Sequence, residues 1–183
     1  ACITWYRDRG LQPTVSLIPE LNIELDAEFE RRNFKKLLDL VVMVKDPVQR
    51  KVDFEFEVFD APSAEWLAIH GDEAIEPLLL RTPSKYVELK VDGNLFAIGR
   101  IAFARDWAVI SRIWVAPSKR SKGYGRKVLI ALESLAPDAK LALQVQRENV
   151  NAYQLYFSEG YKTHHTGRFR SQSQQINLAQ DCQ

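Results

Sequence analysis

Between Lys119 and Lys127 the chain sets Lys119, Arg120, Lys122, Arg126 and Lys127 around two glycines, Gly123 and Gly125. Those residue types suit an anion. Glycine lets a ligand approach the backbone closely, and a helix starting here would add free N–H groups and the positive end of its dipole, so the expected ligand is a phosphate or pyrophosphate. Two common phosphate motifs are excluded by spacing. A P-loop ends in Gly-Lys-Ser/Thr, which does not follow Gly125, and a dinucleotide fingerprint needs a third glycine where this chain has Val128.

The flanking elements must position that loop. Ala108, Val109, Ile110, Ile113, Trp114 and Val115 form a nearly continuous apolar run, which predicts a strand covered on both faces and ended by Pro117. Val128, Ala131, Leu132, Leu135 and Ala136 follow the i, i+3, i+4, i+7, i+8 spacing of an amphipathic helix, stopped by Pro137. The glycines therefore fall at the helix start.

Arg120-Ser121-Lys122-Gly123-Tyr124-Gly125 reads Arg-x-x-Gly-x-Gly and follows Val115-Ala116-Pro117. It resembles the acetyl-CoA pyrophosphate loop of the GNAT superfamily of N-acetyltransferases. About twenty-five residues later, Asn149-Val-Asn-Ala152-Tyr-Gln-Leu155-Tyr156-Phe-Ser-Glu-Gly160-Tyr161 resembles that superfamily's second signature, Asn-x-x-Ala-x-x-Leu-Tyr-x-x-x-Gly-aromatic, at every signature position. The two motifs stand in the right order, one strand apart, and the resemblance covers about residues 50 to 170.

The resemblance implies an α/β (α+β) GNAT acyl-CoA N-acyltransferase fold, a mixed central sheet flanked by helices. It also implies that the central strand and the next one splay apart to admit acetyl-CoA. The segment Ile113, Trp114 and Val115 would line the pantetheine arm, with Ile113 and Val115 pairing to it through backbone groups. Arg120, Ser121, Lys122, Gly123, Tyr124, Gly125 and Arg126 would hold the pyrophosphate, and the side chain of Asn149 would bind the pantetheine arm. The chemistry implied is direct attack of an amine on the acetyl thioester, with acetyl-CoA as co-substrate and no metal. The departing thiol, with a pKa near 8.5, is served by a phenol of pKa about 10, and Tyr156 occupies the position that carries this role in the family.

A general base is less evident. Glu88, Asp106, His164 and His165 are candidates, and each reads more readily as solvated surface or strand decoration. The acceptor is a small-molecule or peptide amine that the sequence does not identify. Two readings from other classes stay open: an acyl-CoA-binding sensor or scaffold without turnover, and a nucleic-acid site at Lys119 to Lys127. The balanced charge, 25 Lys and Arg against 24 Asp and Glu, opposes the second and argues for no nucleic-acid partner.

The 183 residues, 46% hydrophobic, suffice for one good core, or one domain plus a partial second. No membrane-length apolar run or signal peptide is visible, two cysteines lie near opposite ends, and a cytoplasmic location without a membrane partner is expected. A homodimer is left open. Residues 1 to 46 read as helix, strand, helix, strand; Trp5-Tyr6-x-x-x-Gly10-Leu11 echoes Leu155-Tyr156-x-x-x-Gly160-Tyr161 and resembles the degenerate first half of tandem GNAT proteins. The expected division is a remnant of that half at 1–46, a catalytic domain at 47–170 and a polar tail at 171–183. Within the catalytic domain, Val52, Phe54, Phe56 and Val58 alternate with charged residues and predict a half-buried strand. One or two helices follow over 63–80, then a hairpin at Asp92-Gly93-Asn94 between two strands.

Overall fold

The computed structural model describes residues 2–70 and 76–172. Its backbone forms two compact units. The first holds the described parts of Ala1–Val42, Val145–Asn149 and Thr163–Gln183; the second holds Met43–Gln144, apart from the residues not described, and Val150–Lys162. The polar tail from 173 onward lies outside the described residues.

In the first unit, α1 (Cys2–Arg7) ends in a turn closed by Gly10 at φ +65°, and β1 (Thr14–Leu17) follows. β1 pairs antiparallel with β8 (Lys162–Ser171), Thr14 opposite Ser171 and Leu17 opposite Arg168. α2 (Ile23–Arg31) contributes no buried residue, and β2 (Lys35–Lys45) follows it. Leu21 and Leu25 are exposed, and Phe29 packs against Phe34 with ring centroids 4.9 Å apart. Ionic pairing does the rest: Arg168 reaches Asp26 and Asp39, each at 2.7 Å, and Arg170 reaches Asp26 at 2.6 Å.

The second unit carries the Arg120–Gly125 loop and the second motif from residue 150 onward. Its strands run in the order β7-β6-β5-β4-β3, where β3 is Glu57–Phe59, β4 Ser84–Val91, β5 Asn94–Ala104, β6 Trp107–Val115 and β7 Lys140–Gln146. Pairing is antiparallel from β3 to β6 and parallel between β6 and β7, so the sheet is mixed. Asp92 and Gly93, both at positive φ, make the expected two-residue hairpin turn between β4 and β5.

Side-chain alternation along β5 sorts the helices onto opposite faces. Ile98 packs with Trp66 of α3 (Ala64–His70) and Leu79 of α4 (Glu76–Leu79), beside Tyr86. The next residue, Gly99, faces α5 (Tyr124–Ser134): a Cβ placed on it would meet Val128 at 2.6 Å and Leu132 at 2.7 Å. The missing side chain therefore sets how closely α5 sits on the sheet.

One expected strand is shorter than its alternation indicates. Only Glu57–Phe59 forms a ladder with β4, and residues 51–56 run outside it. The register of β4 shifts between Leu89 and Lys90, where residues 55 and 56 would have paired, and such a bulge bends a strand away from its edge neighbour.

Candidate active site

β6 carries the central irregularity. On one side it stays paired with β5 to the end, Trp114 opposite Ile98 and Val115 opposite Ala97. On the other side its parallel ladder with β7 runs from Trp107–Lys140 to Ile110–Leu143 and ends there. The last turn of pleat on β6 thus offers backbone groups to a ligand rather than to β7.

The same stretch holds a bulge. Ile98 pairs with Trp114 and Arg100 with Ser111, so Gly99 alone stands opposite Arg112 and Ile113. Arg112 takes φ +58°, an uncommon conformation for a side-chain-bearing residue and one that gathers at functional sites. The bulge turns successive residues in different directions: Ile113 lies on the α5 side near Gly99, while Trp114 packs with the Trp66, Tyr86 and Ile98 cluster.

After β6 a short 3-10 turn at Pro117–Lys119 leads into the loop, and Gly123 forms the N-cap of α5 at φ +81°. This left-handed position strongly favours glycine, with nothing within 4 Å of where its Cβ would be. Ser121 is also left-handed at φ +58°. Two basic side chains close on the loop's own carbonyls, Arg120 Nε donating to Val115 O at 3.1 Å and Lys122 Nζ to Ser118 O at 3.1 Å. Tyr124 stacks edge-on against Phe96, ring centroids 4.7 Å apart.

α6 (Val150–Ser158) docks on this helix start. Leu155 stands 3.4 Å from the position a Cβ on Gly125 would take, an ordinary van der Waals contact. Arg126 reaches the end of α6, pairing with Glu159 at 2.7 Å and Ser158 Oγ at 3.3 Å. Tyr156, next to Leu155, is buried, with its ring edge-on to Tyr161 at 6.0 Å, and burial pushes its phenol above the usual tyrosine range. Ile113 through Arg126 and Tyr156 all belong to the second unit. Asn149 groups with the first unit, its N–H donating to Gln146 O at 2.9 Å.

Of the candidate bases, Asp106 is exposed at the far end of β6 from the bulge, and His164 and His165 lie on β8 in the first unit, their Nδ1 atoms 2.7 Å apart. Glu88 is different. It is fully buried, its Oε1 accepts from Ser63 Oγ at 2.5 Å, and its Oε2 lies 2.9 Å from Lys90 Nζ. Together with Phe54, Glu55, Phe56, Glu57 and Lys90 it lines a cavity of about 430 Å³.

A second buried carboxylate, Glu133, was not anticipated. It sits on α5 with no exposed surface, paired with Lys45 at 2.8 Å and with Arg50, which also holds Glu159 at 2.8 Å. Its signal is present in the sequence: Glu133 stands four residues after Leu129, on the same face of α5, and Leu129 is buried. Among the described residues no group of three or more His, Cys, Asp or Glu is placed to hold a metal, and no helix is long and apolar enough to cross a membrane.

A splayed parallel strand pair, a bulge beside the gap and a glycine-opened helix start define an acyl-CoA-dependent acyltransferase fold. The acetyltransferase (GNAT) family model matches residues 51–161, and the chain belongs to that family. Solved structures agree. A GCN5-related N-acetyltransferase from Kribbella flavida superposes with a TM-score of 0.66 at 16% identity, covering 92% of this chain and 71% of that one. A GCN5-related N-acetyltransferase from Sphaerobacter thermophilus gives 0.62 at 16% identity over 92% and 64%. A tandem GNAT protein from the clavulanic acid biosynthesis pathway gives 0.65 at 10% identity over 90% and 65%. No curated protein matches the chain.

Proposed function

We propose that this chain is an N-acetyltransferase that moves the acetyl group of acetyl-CoA onto a primary amine. The observation that carries the reading is the end of the β6–β7 ladder at Ile110 and Leu143, directly before the bulge and the Gly123 helix start. Residues 121 to 126 would hold the pyrophosphate on their N–H groups, and the backbone of Ile113 and Val115 would receive the pantetheine arm once Arg120 releases the Val115 carbonyl. Acetyl-CoA supplies an acetyl group already activated as a thioester. The unprotonated amine forms a bond to the carbonyl carbon, the carbon–sulfur bond breaks, and the leaving sulfur takes up a proton.

Tyr156 would give that proton. A phenol kept protonated by burial is available as an acid throughout the neutral range. Replacing it with Phe should lower turnover roughly ten- to a thousandfold while acetyl-CoA affinity changes little, because the proton matters only as the thiolate leaves. The measurement is release of free CoA thiol with a panel of amines, alongside calorimetric binding of acetyl-CoA. A Phe variant that turns over at the parent rate makes Tyr156 structural. Residues 1–46 we read as the remnant of a degenerate GNAT-like half that binds no cofactor of its own, so calorimetry should return one acetyl-CoA per chain; two would overturn it.

A further inference from the structure

The carbonyl of Val115 stands where a strand-like ligand would have to find it, and it is already taken. Ala116 N–H donates to Phe96 O at 2.8 Å, so these two form a hydrogen-bonded pair of the antiparallel ladder. Alternation along such a ladder then turns the N–H and C=O of Val115, opposite Ala97, away from β5. On that side β7 has left the ladder, the last pair being Ile110 and Leu143. The donor to Val115 comes from the loop instead: Arg120 Nε reaches its carbonyl oxygen at 3.1 Å.

This hold is easily broken. Arg120 is exposed, and its backbone is fixed separately by the short 3-10 turn, its N–H donating to Pro117 O at 3.3 Å, so the side chain can swing without moving the loop. A guanidinium donating to a neutral carbonyl makes the weaker of the bonds open to it. To a phosphate oxygen it makes a charge-assisted bond, often through two N–H groups at once. Arg120 stands three residues before Gly123, the left-handed N-cap of α5. An anion on the N–H groups of residues 121 to 126 therefore lies beside the same guanidinium that covers Val115.

Two parts of one ligand thus make demands on a single side chain. A pantetheine arm alone must displace Arg120 and offers the guanidinium nothing in exchange. A ligand that also carries a pyrophosphate removes it in the same event. A ligand that needs the uncovered state has its apparent Kd raised by the inverse of the uncovered fraction, so a carbonyl covered in about nine molecules of ten weakens the bare arm about tenfold.

We propose that Arg120 is a specificity-determining latch: it covers the Val115 carbonyl until a pyrophosphate draws it off, so the chain admits nucleotide-bearing thioesters and discriminates against the same thioester arm without its phosphates. The proposal rests on the acetyltransferase reading and deepens it. The test measures by calorimetry the Kd of acetyl-CoA and of S-acetylpantetheine, which ends before the pyrophosphate. It compares the parent with Arg120→Met, which keeps an unbranched stem and loses the donor. The variant should bind S-acetylpantetheine about three- to tenfold more tightly than the parent, and acetyl-CoA no more tightly. A side chain that only binds phosphate would leave S-acetylpantetheine unchanged, and one that only braces the loop would weaken both ligands; either result overturns the proposal. Inorganic pyrophosphate supplies a second measurement on the parent itself. At saturation it should tighten S-acetylpantetheine binding by a similar factor, because coupling between two ligands is reciprocal, and it should have no such effect in Arg120→Met. No tightening in the parent, or S-acetylpantetheine that neither protein binds, also overturns the latch. Acetyl-CoA that does not bind the parent sinks the acetyltransferase reading, whereas acetyl-CoA that binds while S-acetylpantetheine responds to neither change sinks the latch alone.

Discussion

The second unit buries two glutamates completely, and they are not alike. Glu133 on α5 meets Lys45 and Arg50, so each carboxylate oxygen has a cation. Glu88 on β4 accepts from the Ser63 hydroxyl on one oxygen and pairs the other with Lys90 at 2.9 Å. Removing Glu133 would leave two cations without their shared anion, whereas removing Glu88 leaves one that Glu57 still holds at 2.7 Å. The first cluster is therefore the stronger anchor of structure. Burial alone does not distinguish these roles; the number of cations that depend on each carboxylate does.

That contrast can be broken most directly at Glu133. Glu133→Ala strands Lys45 and Arg50 without their shared anion, and should cost about 3–5 kcal/mol of stability, the range for removing one member of a buried ionic group. Urea denaturation would measure it, and a loss below about 1 kcal/mol would show that Glu133 is dispensable and the contrast false. Ser63→Ala comes next. Ser63 Oγ also accepts from the Trp66 N–H at 3.0 Å, so it caps α3 as well as serving Glu88, and its removal should cost about 1–2 kcal/mol. Glu88→Gln should be the mildest of the three in the same melts, below about 1 kcal/mol, since the amide oxygen can keep the Ser63 hydrogen bond and Lys90 is partly solvated. A Glu88 variant less stable than the Glu133 variant would reverse the assignment of roles.

The smallest effects are in pH. Tyr156 and Tyr161 have phenols raised by burial, Tyr161 also by the charge of Glu133, so the native state favours their protonated forms. Their contribution is complete below the unfolded pKa of about 10 and is lost as pH rises beyond it. In the first unit, Asp26 and Asp39 are lowered by hydrogen bonds from Arg170 and Arg168, so their contribution is present above about pH 4 and declines as pH falls. Melts between pH 3 and 11 should show a plateau with a fall at each end. In Glu133→Gln the alkaline fall should be shallower, and an unchanged one would separate Tyr161 from that cluster.

The glycine-containing loop before α5 was legible because its information is local. Gly123 and Gly125 announce a helix start, and α5 begins at Tyr124 with Val128, Ala131 and Leu132 buried as their spacing indicates. The hairpin at Asp92-Gly93 was equally local. What the sequence did not show depends on cross-strand register. The bulge at Arg112 exists only because Gly99 stands opposite two residues, and the late start of β3 coincides with a register shift in its neighbour at Leu89 and Lys90. Glu88 was read as surface decoration because strand alternation cannot reveal that helices cover one face and α5 the other. Leu21 and Leu25, both exposed, show the opposite case, since an apolar pattern names a face without ensuring that anything covers it.

The Arg126–Glu159 contact has a consequence for how an anion could be received. Glu159 is held at one oxygen by Arg126 and at the other by Arg50. Should a phosphate draw Arg126 toward the loop, Glu159 keeps its second guanidinium and no carboxylate is orphaned. The arrangement works as a hand-over: one half-exposed arginine is on loan to α6 and can change hands at little cost, while the more buried Arg50 keeps its place.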